Sequence, residues 1–311
     1  MIFEEEIKDT LRNASVSDYK IDQCIRILER NGFIEEMSSF QAVNSGMTNK
    51  LFHFNVGGKE YLIRVPGEGT EYLLDRAQEA AVYMELADMG ITDKIIFIDP
   101  IEGFKITEYI GGVHNCNVSD EDEVRRCILH LRALHEKKIK TEKEFDPFKM
   151  IEHYEQSCKH NILDFFPEYG ARRREVDELK EIIAALPRRT VLCHVDPVYD
   201  NFLIRDGEVF LIDWEYAAQA EPEMDIAMFC IYADYGKEQI DKVIDMYYPE
   251  GCDEYSRIKI YSYIACSALL WVVWCEIKRD SGVLFEEYEK QQYEYVHEFY
   301  RLAKDAAAFI E

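Results

Sequence analysis

The chain has 311 residues, enough for one large domain or two lobes, and its 48% hydrophobic and 31% charged residues are typical of a globular protein. Its net charge of −25 argues against nucleic acid or an anionic membrane surface as a partner, and favours a cationic small molecule. Nine cysteines without a CxxC pair and an acidic start, "MIFEEEIKDT", predict a cytoplasmic protein with reduced thiols, and eight histidines without metal-ligand spacing argue against a zinc site.

The N-terminal third is predicted to be a helix followed by antiparallel strands. One apolar face and a glycine stop predict the helix over residues 16–31. Residues 40–65 contain apolar runs on both sides of "NSGMTN" and a later Gly-Gly turn, which predicts three antiparallel strands. A second helix over 70–90 is expected to be capped by Thr70, and the runs "IIFID" and "FKITEYI" predict two more strands.

From Gly112 onward the pattern is helical, except for one apolar hairpin. The longest uncharged run, 261–275, is shorter than the ~20 apolar residues that span a bilayer, so it predicts a buried helix without membrane insertion. The expected helices cover residues 120–137, 147–164, 172–186, 224–235, 239–248, 255–278 and 285–310. We therefore predict an α+β protein with a small antiparallel β lobe over 1–107 and a larger, mostly α-helical lobe over 108–311.

The hairpin lies within "LCHVDPVYDNFLIRDGEVFLIDWEY" and groups three polar side chains. Asp206-Gly207 is a strong two-residue turn signal between two strand-forming runs. With that turn, Asn201 and Asp213 leave the ribbon at the same open end, where neighbouring strands are roughly 5 Å apart. An amide oxygen and a carboxylate at that distance can share Mg²⁺, and Asp196, on the preceding loop, can face a substrate hydroxyl.

An Asp five residues before an Asn, followed by a hairpin and a second Asp, is the arrangement of kinases. The order and spacing favour an ATP-dependent phosphotransferase over a surface hairpin with solvated acids. Kinases also hold the α- and β-phosphates with a strand cation paired to a helix Glu. Arg64, at the end of the third strand, and Glu79, on the following helix, predict such a pair, with Glu71 as the alternative partner. The guanidinium is expected to be able to bind phosphate bidentately.

Two further segments are predicted to bind ATP by their position. The turn between the first two strands has small residues that let backbone N–H groups approach phosphates, although a plain hairpin turn fits it nearly as well. This turn consists of Ser45, Gly46, Met47, Thr48 and Asn49. The connector "KITEYIGG" is predicted to hold adenine through backbone groups of Glu108 and of Tyr109 or Ile110.

Four stretches, "SGMTNKLF", "YLIRVPGEGTE", "CHVDPVYDNFLI" and "LIDWEYAAQAEPEMDIAMF", match in order a family of small-molecule kinases. Over roughly residues 40–300 the chain resembles the choline/ethanolamine kinases, in particular the bacterial choline kinases, within the aminoglycoside-phosphotransferase-like superfamily. The resemblance implies a bilobal, protein-kinase-like fold, with Asp196 as base and with Asn201 and Asp213 as Mg²⁺ ligands. An Arg at position 64 is usual in this family.

The same resemblance implies structural and substrate-binding roles for residues near these motifs. His194 is expected to hold the catalytic loop, and Asp225, in "MDIAMF", to anchor that loop from behind. From spacing alone, Asp225 is equally well an acid in the first turn of a helix. Glu215 and Tyr216 are expected to extend the second motif toward the substrate pocket.

Trp271 and Trp274 lie three residues apart on one face of a predicted helix, and an aromatic-rich helix with Phe285 and Tyr288 follows. Aromatic faces bind quaternary ammonium groups, and the resemblance implies that these four rings form the choline site. The alternative is that both tryptophans belong to the helical core.

The expected function is transfer of the γ-phosphoryl group of ATP, with Mg²⁺, to choline. One alternative is the same chemistry on ethanolamine, thiamine or an aminoglycoside, of which the last would require a broad acidic groove. Another is a non-catalytic kinase-like binding module. Such modules typically lack the base or a metal ligand, whereas Asp196, Asn201 and Asp213 are all present here.

Overall fold

The computed structural model describes residues 4–43, 49–67, 75–280 and 282–308. Contacts divide the chain into two compact units, of which the first comprises residues 1–114 and 203–216 and the second comprises 115–202 and 217–311. These units assign most of the hairpin after Asn201 to the N-terminal part of the chain. The division into lobes over 1–107 and 108–311 remains a prediction.

The first unit is built on a five-stranded antiparallel sheet with the order β1-β2-β3-β5-β4. The strands are β1 (Met37–Val43), β2 (Lys50–Val56), β3 (Lys59–Val65), β4 (Ile95–Ile98) and β5 (Lys105–Glu108), and the helices are α1 (Glu4–Asn13), α2 (Asp18–Arg30) and α3 (Arg76–Leu86). Apolar side chains of α1 and α2, such as Ile7 and Leu28, share one core with Phe52 and Phe54 of β2. The predicted helix over 16–31 and the five predicted strands are confirmed.

The second unit is mostly helical. Its helices are α4 (Glu121–Glu136), α5 (Pro147–Ser157), α6 (Tyr169–Ala185), α7 (Pro222–Tyr232), α8 (Lys237–Tyr247), α9 (Glu254–Asp280) and α10 (Glu286–Ala307). By length and composition α9 could cross a membrane, but 83% of its apolar window is buried inside the protein, as in a core helix. α9 packs against α5, α6, α7 and α10, which confirms the predicted buried helix.

Five short strands lie near the segments that carry the predicted site. They are β6 (His114–Asn115), β7 (Val191–Cys193), β8 (Phe202–Arg205), β9 (Glu208–Leu211) and β10 (Ala218–Ala220). β8 and β9 are the predicted hairpin, while β7 and β10 pair antiparallel in the second unit. β7 and β10 are not predicted from the sequence, because strands of three residues are too short to show an apolar period.

Two predicted helix boundaries are wrong. α3 begins at Arg76, because the side chain of Asp75 caps it by accepting from the N–H of Gln78; the predicted cap, Thr70, lies outside the described residues. α5 ends at Ser157 rather than at residue 164, and a separate 3-10 turn covers Ile162–Asp164. The intervening chain is held by α9 instead: the N–H of Lys159 donates to Oδ2 of Asp280 at 2.7 Å, and Nδ1 of His160 lies 2.8 Å from Oδ1 of Asp280.

Candidate active site

β7 leads into a strained loop that carries His194, Val195 and Asp196. Val195 has a φ of 71°, a left-handed backbone conformation that is unfavourable for a β-branched residue. The N–H groups of His194 and Val195 donate to the two carboxylate oxygens of Asp225, at 2.8 and 2.7 Å. Asp225 therefore fixes the backbone immediately before Asp196, in a conformation that costs free energy and is typical of functional sites.

Asp225, near the start of α7, is itself fixed by a buried histidine. Nε2 of His135 lies 3.0 Å from Oδ2 of Asp225, and its Nδ1 lies 2.8 Å from the hydroxyl of Tyr247. Asp225, His135 and His194 have no exposed surface. A buried carboxylate requires several hydrogen-bond partners, and here two backbone N–H groups and an imidazole supply them.

Asp196 is held at both its side chain and its backbone. Its Oδ1 accepts a hydrogen bond of 2.6 Å from the hydroxyl of Tyr232, the last residue of α7. Its backbone carbonyl accepts a bond of 3.0 Å from Nδ2 of Asn201, at the end of the short 3-10 turn Tyr199–Asn201. Because the amide nitrogen of Asn201 makes this bond, its oxygen is the end of the side chain that is suited to bind a cation.

The predicted hairpin turn is confirmed. Asp206 and Gly207 join β8 to β9 with φ angles of 52° and 86°, as a type I′ turn requires. Asp213 follows β9 in the first unit and also has a positive φ, 67°. Its side chain is 38% exposed, and Oδ1 lies 3.6 Å from Nη1 of Arg64.

Arg64 on β3 and Glu79 on α3 form a buried, bidentate ion pair. Nη1 lies 2.6 Å from Oε1 and Nη2 lies 2.7 Å from Oε2, and the side chains are 3% and 1% exposed. Nε and Nη2 also donate to the carbonyl of Gly103. Since a guanidinium has five N–H groups, these four bonds leave one N–H of Nη1. The expected bidentate contact of Arg64 with phosphate is therefore wrong for this arrangement, because Glu79 occupies the fork.

Further cations surround the carboxylate of Glu79. Nη1 of Arg76 lies 2.8 Å from Oε2, and Nζ of Lys105 lies 4.0 Å from Oε1. Burial raises the pKa of Glu79, but the hydrogen bonds and charge of Arg64 outweigh burial, with help from Lys105 and Arg76, and the pKa falls to about 2. Arg76 is not among the residues predicted from the sequence, although its position three residues before Glu79 on one helix is a visible signal.

Glu215 belongs to the same charged cluster of the first unit. Its Oε2 lies 3.1 Å from Nη1 of Arg76 and accepts a bond of 3.4 Å from Nδ2 of Asn49. Burial, together with the negative charge of Asp213, raises the pKa of Glu215. Tyr216 is 36% exposed. The other predicted loop residues and the alternative partner of Arg64 lie outside the described residues: Ser45, Gly46, Met47, Thr48 and Glu71.

Two backbone N–H groups of the connector that follows β5 already make hydrogen bonds. The N–H of Glu108 donates to the carbonyl of Lys94, and the N–H of Tyr109 donates to the carbonyl of Glu60, both at 2.9 Å. These two N–H groups are therefore engaged within the first unit. Any backbone contact with adenine would use carbonyl oxygens or the N–H of Ile110.

Trp271 and Trp274 on α9 form an aromatic cluster in the second unit. Their ring centroids lie 5.4 Å apart with an interplanar angle of 81°, and Phe285 lies 5.3 Å from Trp274. Tyr232 lies 5.4 Å from Trp271, so the cluster reaches the residue that bonds Asp196. Both tryptophans are partly exposed, whereas Trp214 in the first unit is fully buried. Part of the ring surface of the pair is therefore accessible, unlike that of a ring in a closed core.

Two more tyrosines lie close enough to Asp196 to interact with its charge. Burial and the negative charge of Asp196 raise the pKa of Tyr154. Burial, and then the charges of Cys275 and Asp196, raise the pKa of Tyr288. Tyr154 and Tyr232 are missed by sequence analysis, because a single tyrosine on a helix has no distinguishing pattern.

Comparisons with known proteins relate the chain to one family of kinases. A sequence model described as choline/ethanolamine kinase matches residues 40–261. The chain is 23% identical over 262 residues to protein LicA of Haemophilus influenzae, which covers 78% of this chain and 94% of LicA. It is 24% identical over 329 residues to a probable ethanolamine kinase of Arabidopsis thaliana, which covers 88% of this chain and 84% of that protein.

Among solved structures, the fold is similar to that of the choline kinase LicA from Streptococcus pneumoniae. The TM-score is 0.75 at 25% sequence identity, and the likeness covers 90% of this chain and 99% of that chain. The predicted kinase-like α+β fold, with an antiparallel sheet in the N-terminal part and a helical C-terminal region, is confirmed.

Proposed function

Because the chain belongs to the choline/ethanolamine kinase family, we propose that it transfers the γ-phosphoryl group of ATP to the hydroxyl group of choline, giving phosphocholine and ADP. Membership of this family makes the protein a kinase, an ATP-dependent phosphotransferase. The choice of choline is the specific part of the proposal. It is supported by similarity to two proteins named LicA, one of which is described as a choline kinase.

The observation that carries the proposal is the partly exposed aromatic cluster joined to Asp196. A trimethylammonium group cannot donate a hydrogen bond, so aromatic faces and a negative field are what bind it. Trp271, Trp274 and Phe285 supply such faces, and Tyr232 connects them to the carboxylate. In this proposal the amino alcohol binds with its ammonium end at these rings and with its hydroxyl toward Asp196. We also propose that Tyr288 lines this pocket.

In the proposed reaction, Asp196 takes the proton of the alcohol as the alcohol oxygen attacks the γ-phosphorus and ADP leaves. Asp225 and His194 hold the loop that carries this base. The ion pair with Glu79 holds Arg64 in place, and in this proposal the remaining N–H of Arg64 contacts the phosphates. We assign Glu215 to the charged cluster rather than to the alcohol, because Arg76 and Asn49 engage it; Tyr216 remains a predicted substrate residue.

We propose Mg²⁺ as the metal, with Asn201 and Asp213 as its protein ligands. The donor set fits a hard cation that prefers oxygen and takes one or two protein side chains. The amide nitrogen of Asn201 bonds the carbonyl of Asp196, so the amide oxygen is the end that could bind the ion. The carboxylate of Asp213 is partly exposed. The ion would neutralise charge on the phosphates. For adenine, the residues proposed remain Glu108, Tyr109 and Ile110.

A second candidate substrate is ethanolamine, which is favoured by the similarity to a probable ethanolamine kinase. Its primary ammonium group donates three hydrogen bonds and requires acceptors, so it gains less from aromatic faces than choline does.

For the location of the reaction we propose the cytoplasm, where thiols stay reduced; all nine cysteines are free thiols.

The test is a Mg-ATP turnover assay of the purified protein with choline, ethanolamine, thiamine and an aminoglycoside. We expect the highest kcat/KM with choline, and activity that is lost when magnesium is chelated. A higher kcat/KM with another acceptor would replace choline by that acceptor. Absence of turnover with every acceptor, by a protein that is folded and binds ATP, would support the non-catalytic alternative instead.

A further inference from the structure

Tyr232 touches both parts of the proposed site. Its hydroxyl donates a 2.6 Å hydrogen bond to Oδ1 of Asp196, and its ring centroid lies 5.4 Å from that of Trp271 at an interplanar angle of 55°. We infer that Tyr232 is a positioning residue, whose hydroxyl orients Asp196 toward the alcohol while its ring forms a wall of the amine pocket. This inference rests on the proposed function and adds a residue to it.

The position of Tyr232 on α7 explains why it can orient the base. Asp225 and Tyr232 are seven residues apart, about two helical turns, so they lie on the same face of α7. Asp225 binds the backbone N–H groups of His194 and Val195, and Tyr232 binds the side chain of the next residue. One helix face therefore holds the loop at its backbone and at its reactive carboxylate.

The bond to Oδ1 restricts the orientation of the Asp196 carboxylate. A carboxylate on a single χ2 torsion rotates easily, and a phenol that holds one oxygen stops this rotation. Because a reacting group held in the attack geometry contributes strongly to rate, the loss of the phenol should lower kcat more than it weakens binding of choline.

The ring of Tyr232 has a separate role from its hydroxyl. It extends the surface formed by Trp271 and Trp274 toward Asp196, so the ammonium end of the substrate meets aromatic carbon on that side. The two roles predict two different kinetic changes, and substitutions at this one position can separate them.

The experiment compares Tyr232→Phe, which removes only the hydroxyl, with Tyr232→Leu, which removes the ring as well. For Tyr232→Phe we expect kcat to fall about tenfold or more, as for a lost hydrogen bond to a charged group, with the KM of choline within about threefold of wild type. For Tyr232→Leu we expect the same loss of kcat and, in addition, a rise of about tenfold in the KM of choline. Tyr235→Phe is the matched control, since its hydroxyl bonds the carbonyl of Val118 instead.

A double-mutant cycle tests whether the hydroxyl acts through Asp196. In an Asp196→Asn background, adding Tyr232→Phe should cost clearly less than it does in the wild type, because the base that it orients is gone. An equal cost in both backgrounds, or a Tyr232→Phe variant that keeps more than half of the wild-type kcat, would overturn the inference. The wild-type rate in the same assay tests the proposed function separately, while the ratio of variant to wild type tests Tyr232.

Discussion

The two units hold their key carboxylates in opposite ways. In the first unit Glu79 is buried against Arg64 and Arg76, and ion pairing lowers its pKa to about 2 in spite of burial. In the second unit Asp196 is bonded by the neutral hydroxyl of Tyr232. A carboxylate surrounded by cations stays ionised and rigid, which suits a scaffold for phosphates. A carboxylate that accepts from a neutral phenol is oriented without a cation at that oxygen, which suits a base.

The strongest test of this contrast is Asp196→Asn. If Asp196 is the base, the substitution should lower kcat by about 10²–10⁴-fold, because the amide cannot take up the proton of the alcohol. The KM of ATP and the melting temperature should stay near those of the wild type. Steady-state kinetics with both substrates and a thermal melt check this. A variant that retains more than half of its activity would place the base elsewhere.

The opposite side of the contrast is tested by Arg64→Ala. Breaking a buried ion pair leaves Glu79 without its bidentate partner, so the free energy of unfolding should fall by about 3–5 kcal/mol. The KM of ATP should rise, while that of choline should not. Arg125→Ala is the matched control, since Arg125 pairs with Glu121 on the surface of α4, where a pair contributes about 0–1 kcal/mol.

Urea unfolding and the two KM values measure the effects of Arg64→Ala. The charged cluster would not be a phosphate scaffold if the KM of choline rose and that of ATP stayed constant. An Arg125→Ala variant as unstable as Arg64→Ala would show instead that burial of the ion pair is not what stabilises the first unit.

Features that depend on neighbours in the chain could be predicted from sequence. The Asp206-Gly207 turn is an example, since a type I′ turn requires two residues that tolerate positive φ. α4 is another: it begins after Asp120, whose side chain caps the N–H groups of Asp122 and Glu123. The motif residues were found for the same reason, because Asp196, the hairpin and Asp213 follow one another closely.

Features that depend on distant contacts could not be predicted. The bond from Tyr232 to Asp196 joins residues 36 apart, and no local pattern distinguishes this tyrosine from the others. α5 ends early because His160 bonds Glu276 and Asp280 of α9, more than 100 residues away in sequence. Part of the hydrogen bonding of Arg64 is unpredicted for a similar reason, since its Nε and Nη2 donate to the carbonyl of Gly103 in a remote turn.

A smaller effect separates ring surface that binds ligand from ring surface that builds the core. Trp274→Ala should raise the KM of choline about tenfold, as for a lost cation–π contact, with the KM of ATP unchanged and the preference for choline over ethanolamine reduced. Trp214→Ala is the contrasting variant, since that ring is fully buried. It should lower the free energy of unfolding by about 3–5 kcal/mol without a selective change in choline binding.

Kinetics with both amino alcohols, together with thermal melts, separate these outcomes. A Trp274→Ala variant that is destabilised like Trp214→Ala, and that loses activity with both alcohols equally, would make Trp274 part of the core. A stable variant that binds choline as the wild type does would place the ammonium site elsewhere in the second unit.

The contrast extends to Glu289, a buried carboxylate in the second unit whose pKa shifts in the opposite direction from that of Glu79. Glu289 on α10 is 2% exposed and shares the guanidinium of Arg279 with Glu276. Burial, and then a hydrogen bond with Glu276, raise the pKa of Glu289 to about 8. Among the described residues no donor bonds its Oε1, so nothing at this oxygen offsets the cost of burying a charge. The adjacent His160 has a raised pKa because it bonds Asp280 and Glu276.

The two buried carboxylates should therefore affect stability in opposite pH ranges. The lowered pKa of Glu79 gives stability that is present above about pH 4.5 and is lost as the pH falls toward 2. The raised pKa of Glu289 gives stability that is present below about pH 4.5 and is lost as the pH rises through 8, and His160 acts in the same direction.

Between pH 6 and 8 we expect the free energy of unfolding to fall by roughly 1 kcal/mol in the wild type and by less in Glu289→Gln. Glu294→Gln, at an exposed position of the same helix, should keep the wild-type slope in urea unfolding. Equal slopes for the wild type and Glu289→Gln would show that Glu289 is ionised at neutral pH, like Glu79, and that the contrast does not extend to it.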